Sequence, residues 1–303
     1  MKRSKKPHSL RHVALSICLG CTLLCMAGTI INASSASSSP VGYTRSDSLL
    51  ALLQVPQQFY NARPNLVHRS EALRPFFQKV ATEGQAVRIL QLGDSHVAGK
   101  IFPNSVAEVL QEAWGGGVTD TLPRLRYEFI AKNGATMHRL LTSEVISTIA
   151  DLQPHLIILS FGTNECHALT YDEQEHLSQL KPAFEALRSA CPEATFLVTT
   201  PPGAYLKHQP NPMTMRCSSL LGQFAEEYNL AFWNLNEIAG GAEATENYMA
   251  LNLMRPDRVH FTMEGYQIFG RLLGEALLTA QRLTVNVERL TVNGEQSRWV
   301  LKF

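Results

Sequence analysis

Short apolar runs alternate with longer segments of helical periodicity along the middle of the chain. The run at 155–161 (HLIILSF) is apolar at nearly every position, which is typical of a strand covered on both faces. The segments between the runs carry apolar residues three and four positions apart, as amphipathic helices do. The pattern predicts strands at 87–92, 127–131, 155–161, 195–200 and 230–235, and helices at 104–114, 137–152, 174–189, 213–228 and 263–282.

Strands that alternate with helices indicate a parallel sheet with helices on both faces, which is an α/β fold. Before the first strand, residues 49–80 predict short helices, because three prolines interrupt the helical spacing. After the last helix, residues 283–303 alternate apolar and polar positions around Asn293-Gly294, a pair that favours a two-residue turn. We therefore expect a C-terminal β-hairpin.

The first 36 residues differ from the rest of the chain. Five basic residues precede an uncharged apolar run at 13–31, and a small, Ser-rich stretch follows it. This order is typical of a secretory signal peptide, although the run is also long enough for an uncleaved membrane anchor. Under either interpretation the body of the protein lies outside the cytoplasm, and only this segment contacts a membrane.

These patterns divide the chain into four parts. Residues 1–36 are the signal peptide or anchor, and 37–85 are a linker and short helices. Residues 86–282 form the main α/β domain, and 283–303 form the hairpin extension.

Charge and cysteine content exclude several classes of function. The formal net charge of +1 gives no basic surface for nucleic acid. The body holds Cys166, Cys191 and Cys217, an odd number that allows one disulfide, for which we favour Cys191–Cys217. No CxxC pattern occurs in the body, and neither a metal nor a cofactor is expected.

Four polar motifs occur where the predicted fold brings chain segments together. Three follow predicted strands and the fourth precedes the last helix; they are GDSH at 93–96, NGAT at 133–136, GTNE at 162–165 and DRVH at 257–260. Because ligands bind at the carboxyl ends of the strands in open α/β sheets, we expect these motifs to meet at one edge.

The residue types in the motifs suit nucleophilic catalysis. A serine hydroxyl needs a base to take its proton and a third group to orient that base. Ser95 is the candidate nucleophile, His260 the base, and Asp257 the orienting acid. The backbone N–H groups of Ser95 and Gly134 and the side-chain amide of Asn164 are the candidate donors to the oxyanion.

The motifs and their order resemble the SGNH (GDSL-type) hydrolases, over roughly Val87 to Leu278. This resemblance implies a three-layer α/β/α sandwich with a five-stranded, flavodoxin-like parallel sheet, and a serine esterase that acts through an acyl-enzyme. His96 in place of the family's Leu, together with GTNE, resembles bacterial peptidoglycan O-acetylesterases and related envelope carbohydrate esterases. The implied substrate is an O-acylated carbohydrate, with acetyl as the favoured acyl group.

Other interpretations remain open at this stage. Ser95 and Asn164 also suit turns, Gly134 suits a turn glycine, and Asp257 with His260 suits a helix cap. His96 is a candidate for substrate contact, with a structural role as the alternative. The same motifs also fit an O-acyltransferase acting on an envelope glycan, a glycan-binding or envelope-assembly protein without activity, or a metal-dependent phosphodiesterase.

Overall fold

The computed structural model describes residues 64–82, 85–115 and 124–292, with side chains up to residue 284. All of these residues belong to one unit of the chain, Tyr43–Phe303. The predicted signal peptide or anchor and most of the predicted linker lie outside the described residues.

Five parallel strands form the central sheet, as the sequence predicts. The strands are β1 (Val87–Gly93), β2 (Leu125–Ala131), β3 (Leu156–Ser160), β4 (Thr195–Thr199), β5 (Tyr205–Leu206), β6 (Gln209–Pro210) and β7 (Ala231–Trp233). The order of strands in the sheet is β2-β1-β3-β4-β7, so β2 is added on one side of β1, and the later strands are added on the other side, starting with β3. A separate antiparallel pair joins β5 to β6.

Helices connect the strands and cover both faces of the sheet. The predicted helix at 137–152 is divided in two, because the Thr142 hydroxyl accepts a hydrogen bond from Val145 N–H and starts a new helix. No helix within the described ranges is both long and apolar enough to cross a membrane. The helices are α1 (Arg74–Ala81), α2 (Ser95–Ala98), α3 (Ile101–Trp114), α4 (Met137–Leu140), α5 (Ser143–Leu152), α6 (Thr163–Cys166), α7 (Glu173–Ala190), α8 (Met213–Glu227), α9 (Leu235–Ile238), α10 (Thr245–Ala250) and α11 (Met263–Val292).

Two hydrophobic cores lie on opposite sides of the sheet. Successive residues of β3 alternate between them: Leu156 and Ile158 belong to the core with α1, α3 and α11, while Ile157 and Leu159 belong to the core with α5, α7 and α8. This alternation follows from the period of two in a strand. The predicted three-layer α/β/α sandwich is therefore confirmed.

The predicted C-terminal hairpin is wrong over residues 283–292. Helix α11 continues through this segment to Val292, and the Thr284 hydroxyl donates a hydrogen bond to the Ala280 carbonyl one turn earlier. The segment 283–290 also places Leu283, Val287 and Leu290 at helical spacing, and extending an existing helix adds one hydrogen bond per residue fixed. Residues 293–303, which include the predicted turn, lie outside the described residues.

The predicted Cys191–Cys217 disulfide is also wrong. All three cysteines of the body are unpaired and buried. Cys191 lies just before β4, at the amino edge of the sheet, whereas the Cys217 thiol donates to the carbonyl of Gly162 at the carboxyl edge, 3.7 Å away. The length of the strands therefore separates the two thiols.

Helix α11 lies unusually close to helix α3. A β-carbon placed on Gly270 would lie 2.6 Å from both the Phe102 carbonyl oxygen and the Ser105 β-carbon, and one on Gly274 would lie 2.7 Å from the Val109 β-carbon. Because glycine at both positions has no side chain, the backbone of α11 can lie directly against α3. This contact fixes the helix whose first turn follows the DRVH motif.

We expect Gly270→Ala to destabilise the fold by about 1–3 kcal/mol, because the added methyl group forces the two helices apart. Gly222→Ala is the matched control: its β-carbon would lie no closer than 3.4 Å to Phe232, and alanine favours a helix by up to about 1 kcal/mol over glycine. Urea unfolding of both variants measures the difference. Equal stability of the two would contradict the close contact.

Candidate active site

The predicted motifs meet at the carboxyl edge of the sheet. Gly93, the last residue of β1, lies opposite Ala131 of β2 and Ser160 of β3. The loops that follow these three strands therefore begin side by side. The segment that carries Asp257 and His260 reaches the same edge from the start of α11.

The turn after β1 is held by its glycine and its aspartate. A β-carbon on Gly93 would lie 2.3 Å from a Val97 methyl carbon, so no larger residue fits there. The Asp94 carboxylate caps α2 by accepting a hydrogen bond from His96 N–H at 2.9 Å. Burial raises the pKa of Asp94 to about 7. Asp94 thus supports the turn from below, and Ser95 is the first residue of α2.

Ser95, His260 and Asp257 form a continuous chain of hydrogen bonds. The Ser95 Oγ lies 2.8 Å from His260 Nε2, and the His260 Nδ1 lies 2.9 Å from Asp257 Oδ2. Because a carboxylate only accepts hydrogen bonds, the Nδ1 of His260 carries the proton and the Nε2 lone pair faces Ser95. The arrangement suits proton transfer from the serine hydroxyl to the imidazole.

Local backbone contacts keep Asp257 ionised. Its second oxygen, Oδ1, accepts hydrogen bonds from the N–H groups of Val259 (3.0 Å) and His260 (2.9 Å). Partial burial raises the pKa of Asp257, but these hydrogen bonds and the His260 ring outweigh it, and the net effect lowers the pKa below its usual value. A negative charge is therefore available beside His260 at neutral pH.

A small hairpin holds the segment from Asp257 to His260. The Tyr205 N–H of β5 donates to the Arg258 carbonyl at 2.9 Å, and the Arg258 guanidinium lies 5.1 Å from the Tyr205 ring centre. Arg258 also pairs with Glu246 of α10 at 3.4 Å, and its backbone is left-handed at φ 56°. Contacts from two other elements thus keep this residue in a conformation that is uncommon without glycine.

Gly134 lies at the third position of a turn that requires glycine. Its φ is 73°, and the Ala135 N–H closes the turn on the Lys132 carbonyl at 3.1 Å. A β-carbon at Gly134 would meet nothing within 4 Å. The backbone conformation therefore explains the glycine, and the space beside it is open.

Asn164 lies next to this turn. Its Nδ2 donates a hydrogen bond to the Ala135 carbonyl at 2.9 Å, which leaves a second N–H on the same nitrogen. Glu165 fixes the two loops to one another, because its carboxylate accepts from both Gly162 N–H and Met137 N–H at 3.0 Å. The NGAT and GTNE motifs therefore form one connected structure, in which Glu165 is a brace that the sequence does not reveal.

His96 is buried beneath the nucleophile turn and bonds to another side chain. Its Nδ1 lies 3.0 Å from the Tyr266 hydroxyl, and its ring centre lies 5.3 Å from that of His260. Burial, followed by the neighbouring His260, lowers the pKa of His96 to about 3, so the ring is neutral. No signal in the sequence marks Tyr266, since this residue is one more amphipathic position within the helical pattern of α11.

A polar cleft opens from the Asn164 side of the site. It has a volume of about 790 Å³ and follows the first turns of α7. Four carboxyl groups and two guanidinium groups line it; Arg216 bonds Glu173 at 2.9 Å, and Asp172 caps α7. The side chains that line it include Thr136, His138, Arg139, Thr170, Glu175 and Gln179. Across the described residues, no group of three or more His, Cys, Asp and Glu side chains is placed to hold a metal ion.

The sequence from residue 92 to residue 268 matches the GDSL-like Lipase/Acylhydrolase family. The match covers more than half of the chain and contains all four motifs. The chain therefore belongs to this family of the SGNH hydrolase superfamily, and it is an enzyme that hydrolyses ester bonds. No protein of curated function matches the sequence.

Solved structures resemble this protein to different degrees. A peptidoglycan O-acetylesterase superimposes with a TM-score of 0.61 at 16% identity, covering 71% of this chain and 96% of that one. A putative GDSL-like lipase from Parabacteroides merdae gives 0.49 at 16% identity, covering 68% and 99%. A carbohydrate esterase family 3 protein from Talaromyces cellulolyticus gives 0.47 at 14%, covering 65% and 98%. At 16% identity, the likeness to the peptidoglycan O-acetylesterase concerns the fold alone.

The free energy of unfolding of the wild type should fall as pH rises, because of Asp94. We expect Asp94→Asn to make this fall smaller. The buried carboxyl has a pKa of about 7 against a usual 3.8, so the folded protein keeps a proton that the unfolded chain releases. This group therefore makes the fold less stable as pH rises from about 4 to about 7, by on the order of 3–4 kcal/mol. Asparagine keeps the hydrogen bond from His96 N–H but does not ionise. Urea unfolding across this range measures the effect, and identical pH dependence in both proteins would contradict it.

Proposed function

We propose that this enzyme is an extracytoplasmic serine esterase that removes O-acyl groups from a cell-envelope or other carbohydrate. The acyl group that we favour is acetyl. The observation that carries the proposal is the chain of hydrogen bonds from Ser95 through His260 to Asp257. The N-terminal signal-peptide pattern supports the location, and the named fold relative is a peptidoglycan O-acetylesterase.

In the first half of the reaction, Ser95 Oγ attacks the acyl carbon while His260 Nε2 takes its proton. The charge of Asp257 stabilises the imidazolium that forms. The oxyanion of the tetrahedral intermediate accepts hydrogen bonds from the N–H groups of Ser95 and Gly134 and from the Asn164 amide. Collapse breaks the bond to the sugar oxygen, which leaves with the proton from His260, and the acyl group stays on Ser95.

In the second half, water replaces the sugar hydroxyl. His260 takes a proton from the water while the water oxygen attacks the acyl carbon. As the intermediate collapses, His260 gives this proton to Ser95 Oγ. The products are a carboxylic acid and the free enzyme. A sugar hydroxyl in place of the water would give acyl transfer, so product analysis with a glycan acceptor distinguishes the two outcomes.

The polar cleft supports a carbohydrate as the alcohol portion of the substrate. Amide, hydroxyl, imidazole, guanidinium and carboxyl groups line it, and these groups suit the many hydroxyls of a sugar better than an acyl chain. Because the cleft includes Asn164, a glycan bound there would have its ester beside the candidate oxyanion donors. Arg139 and Thr170 are both exposed in it and free to contact a ligand.

We expect Ser95→Ala to lower kcat on p-nitrophenyl acetate by at least about a thousandfold, because the acyl-enzyme no longer forms. Thermal unfolding should match the wild type. Ser219→Ala, which removes an exposed serine hydroxyl on α8, is the control and should keep full activity. A fluorophosphonate should label wild type and control but not Ser95→Ala. Substantial activity in the Ser95 variant would refute the assignment.

We expect Arg139→Ala and Thr170→Ala to lower kcat/KM on an O-acetylated glycan about tenfold, the cost of a lost hydrogen bond to the sugar. Turnover of p-nitrophenyl acetate should change less than about twofold, because so small an ester does not extend into the cleft. Arg188→Ala, an exposed arginine in the last turn of α7, is the control. Equal losses on both substrates, or none on the glycan, would argue against a glycan in this cleft.

A further inference from the structure

The two residues that follow the candidate catalytic pair both contact Tyr266. His96 follows Ser95, and Phe261 follows His260. The Tyr266 hydroxyl lies 3.0 Å from His96 Nδ1, and the Tyr266 ring packs against the Phe261 ring. A neutral imidazole and a phenol can each act as donor or acceptor, so one hydrogen bond joins the His96 and Tyr266 side chains.

Aromatic packing surrounds this hydroxyl. The ring centres of His96 and Tyr266 lie 5.8 Å apart, those of Phe261 and Tyr266 5.7 Å apart, and those of His96 and Phe261 6.3 Å apart. His96 is 7% exposed and Tyr266 5% exposed, so the hydrogen bond between them is shielded from water. His96 Nε2 has no hydrogen-bond partner among the described residues, which leaves Tyr266 as the side chain that holds the imidazole.

We propose that Tyr266 forms a bridge that fixes the distance between the nucleophile turn and the base segment, through the hydrogen bond of its hydroxyl group with His96 and the packing of its ring on Phe261. Tyr266 and His96 are positioning residues: they touch neither substrate nor reacting atoms, and act by holding Ser95 Oγ within reach of His260 Nε2. The bridge rests on the proposed roles of Ser95 and His260. It also gives the GDSH motif a structural meaning, because a leucine at position 96 offers no hydrogen-bond partner to Tyr266.

The bridge runs parallel to the Ser95–His260 hydrogen bond and differs from it in one respect. The Ser95–His260 bond must break and re-form in every turnover, whereas the bridge carries no proton in the reaction. It therefore holds the two segments together while the proton moves. Removing it should slow the chemical step without changing how a small ester binds.

The test compares single and double variants. Tyr266→Phe removes only the hydroxyl and should lower kcat on p-nitrophenyl acetate about tenfold, with KM within about twofold of wild type. His96→Leu should lower kcat to the same extent and also reduce stability, since it leaves the Tyr266 hydroxyl buried without its hydrogen-bond partner. In the double variant both partners are apolar, so stability should recover, while kcat should stay as low as in the single variants.

The recovery of stability without recovery of kcat distinguishes positioning from packing. Tyr248→Phe is the matched control: this buried hydroxyl bonds the Ala239 carbonyl, and its ring packs 5.6 Å from Phe261, away from the nucleophile turn. It should lower stability and leave kcat unchanged. A wild-type kcat in Tyr266→Phe, or a double variant that regains stability and kcat together, would overturn the bridge.

The Ser95→Ala variant separates this proposal from the function on which it rests. If Ser95→Ala is inactive and Tyr266→Phe is unimpaired, the bridge is wrong and the esterase mechanism stands. If Ser95→Ala keeps its activity, both proposals fall, whatever the Tyr266 variant does.

Discussion

The hydrogen bond between Ser95 and His260 is the interaction on which the function of this fold depends. It joins residues 165 positions apart at a distance of 2.8 Å, so it measures how accurately the whole domain is assembled. The end of β1 sets one side, through the crowded glycine at position 93. The start of α11 sets the other, and α11 is located by its glycine contact with α3. Errors of even an ångström between these elements would separate donor from acceptor.

Burial assigns different states to two carboxylates within a few residues of the same bond. Asp94 lies under the nucleophile turn, where desolvation opposes its ionisation. Asp257 lies at the surface, where two backbone N–H groups and His260 favour the charge. Near neutral pH, Asp257 is therefore ionised beside the base, whereas Asp94 under the nucleophile turn is only partly ionised. His96 follows the same principle, since a cationic ring there would repel the imidazolium of His260.

The sequence predicted whatever depends on local pattern. The five strands, the α/β/α layers and the four motifs carry period-two, period-3.6 or turn signals, and the structure brings the motif residues Ser95, Asp257 and His260 together. The sequence did not predict contacts made by side chains distant in sequence, such as that of Tyr266 with His96 or that of Glu165 with Met137. The two wrong predictions have different origins. Residues 283–292 satisfy both periods, so the local pattern does not decide between strand and helix. The spacing of cysteines does not tell which edge of the sheet each occupies.

The base and its orienting acid come from one stretch of four residues, and this has a consequence for how the enzyme fails. The β5–β6 hairpin and Glu246 contact that stretch and hold it in place. Its internal geometry therefore does not depend on the five-stranded sheet. Modest loosening of the domain would leave the acid–base pair intact but carry it away from the serine as a unit. Catalysis should therefore decline before secondary structure does, which would make ester turnover an early reporter of damage to the native packing.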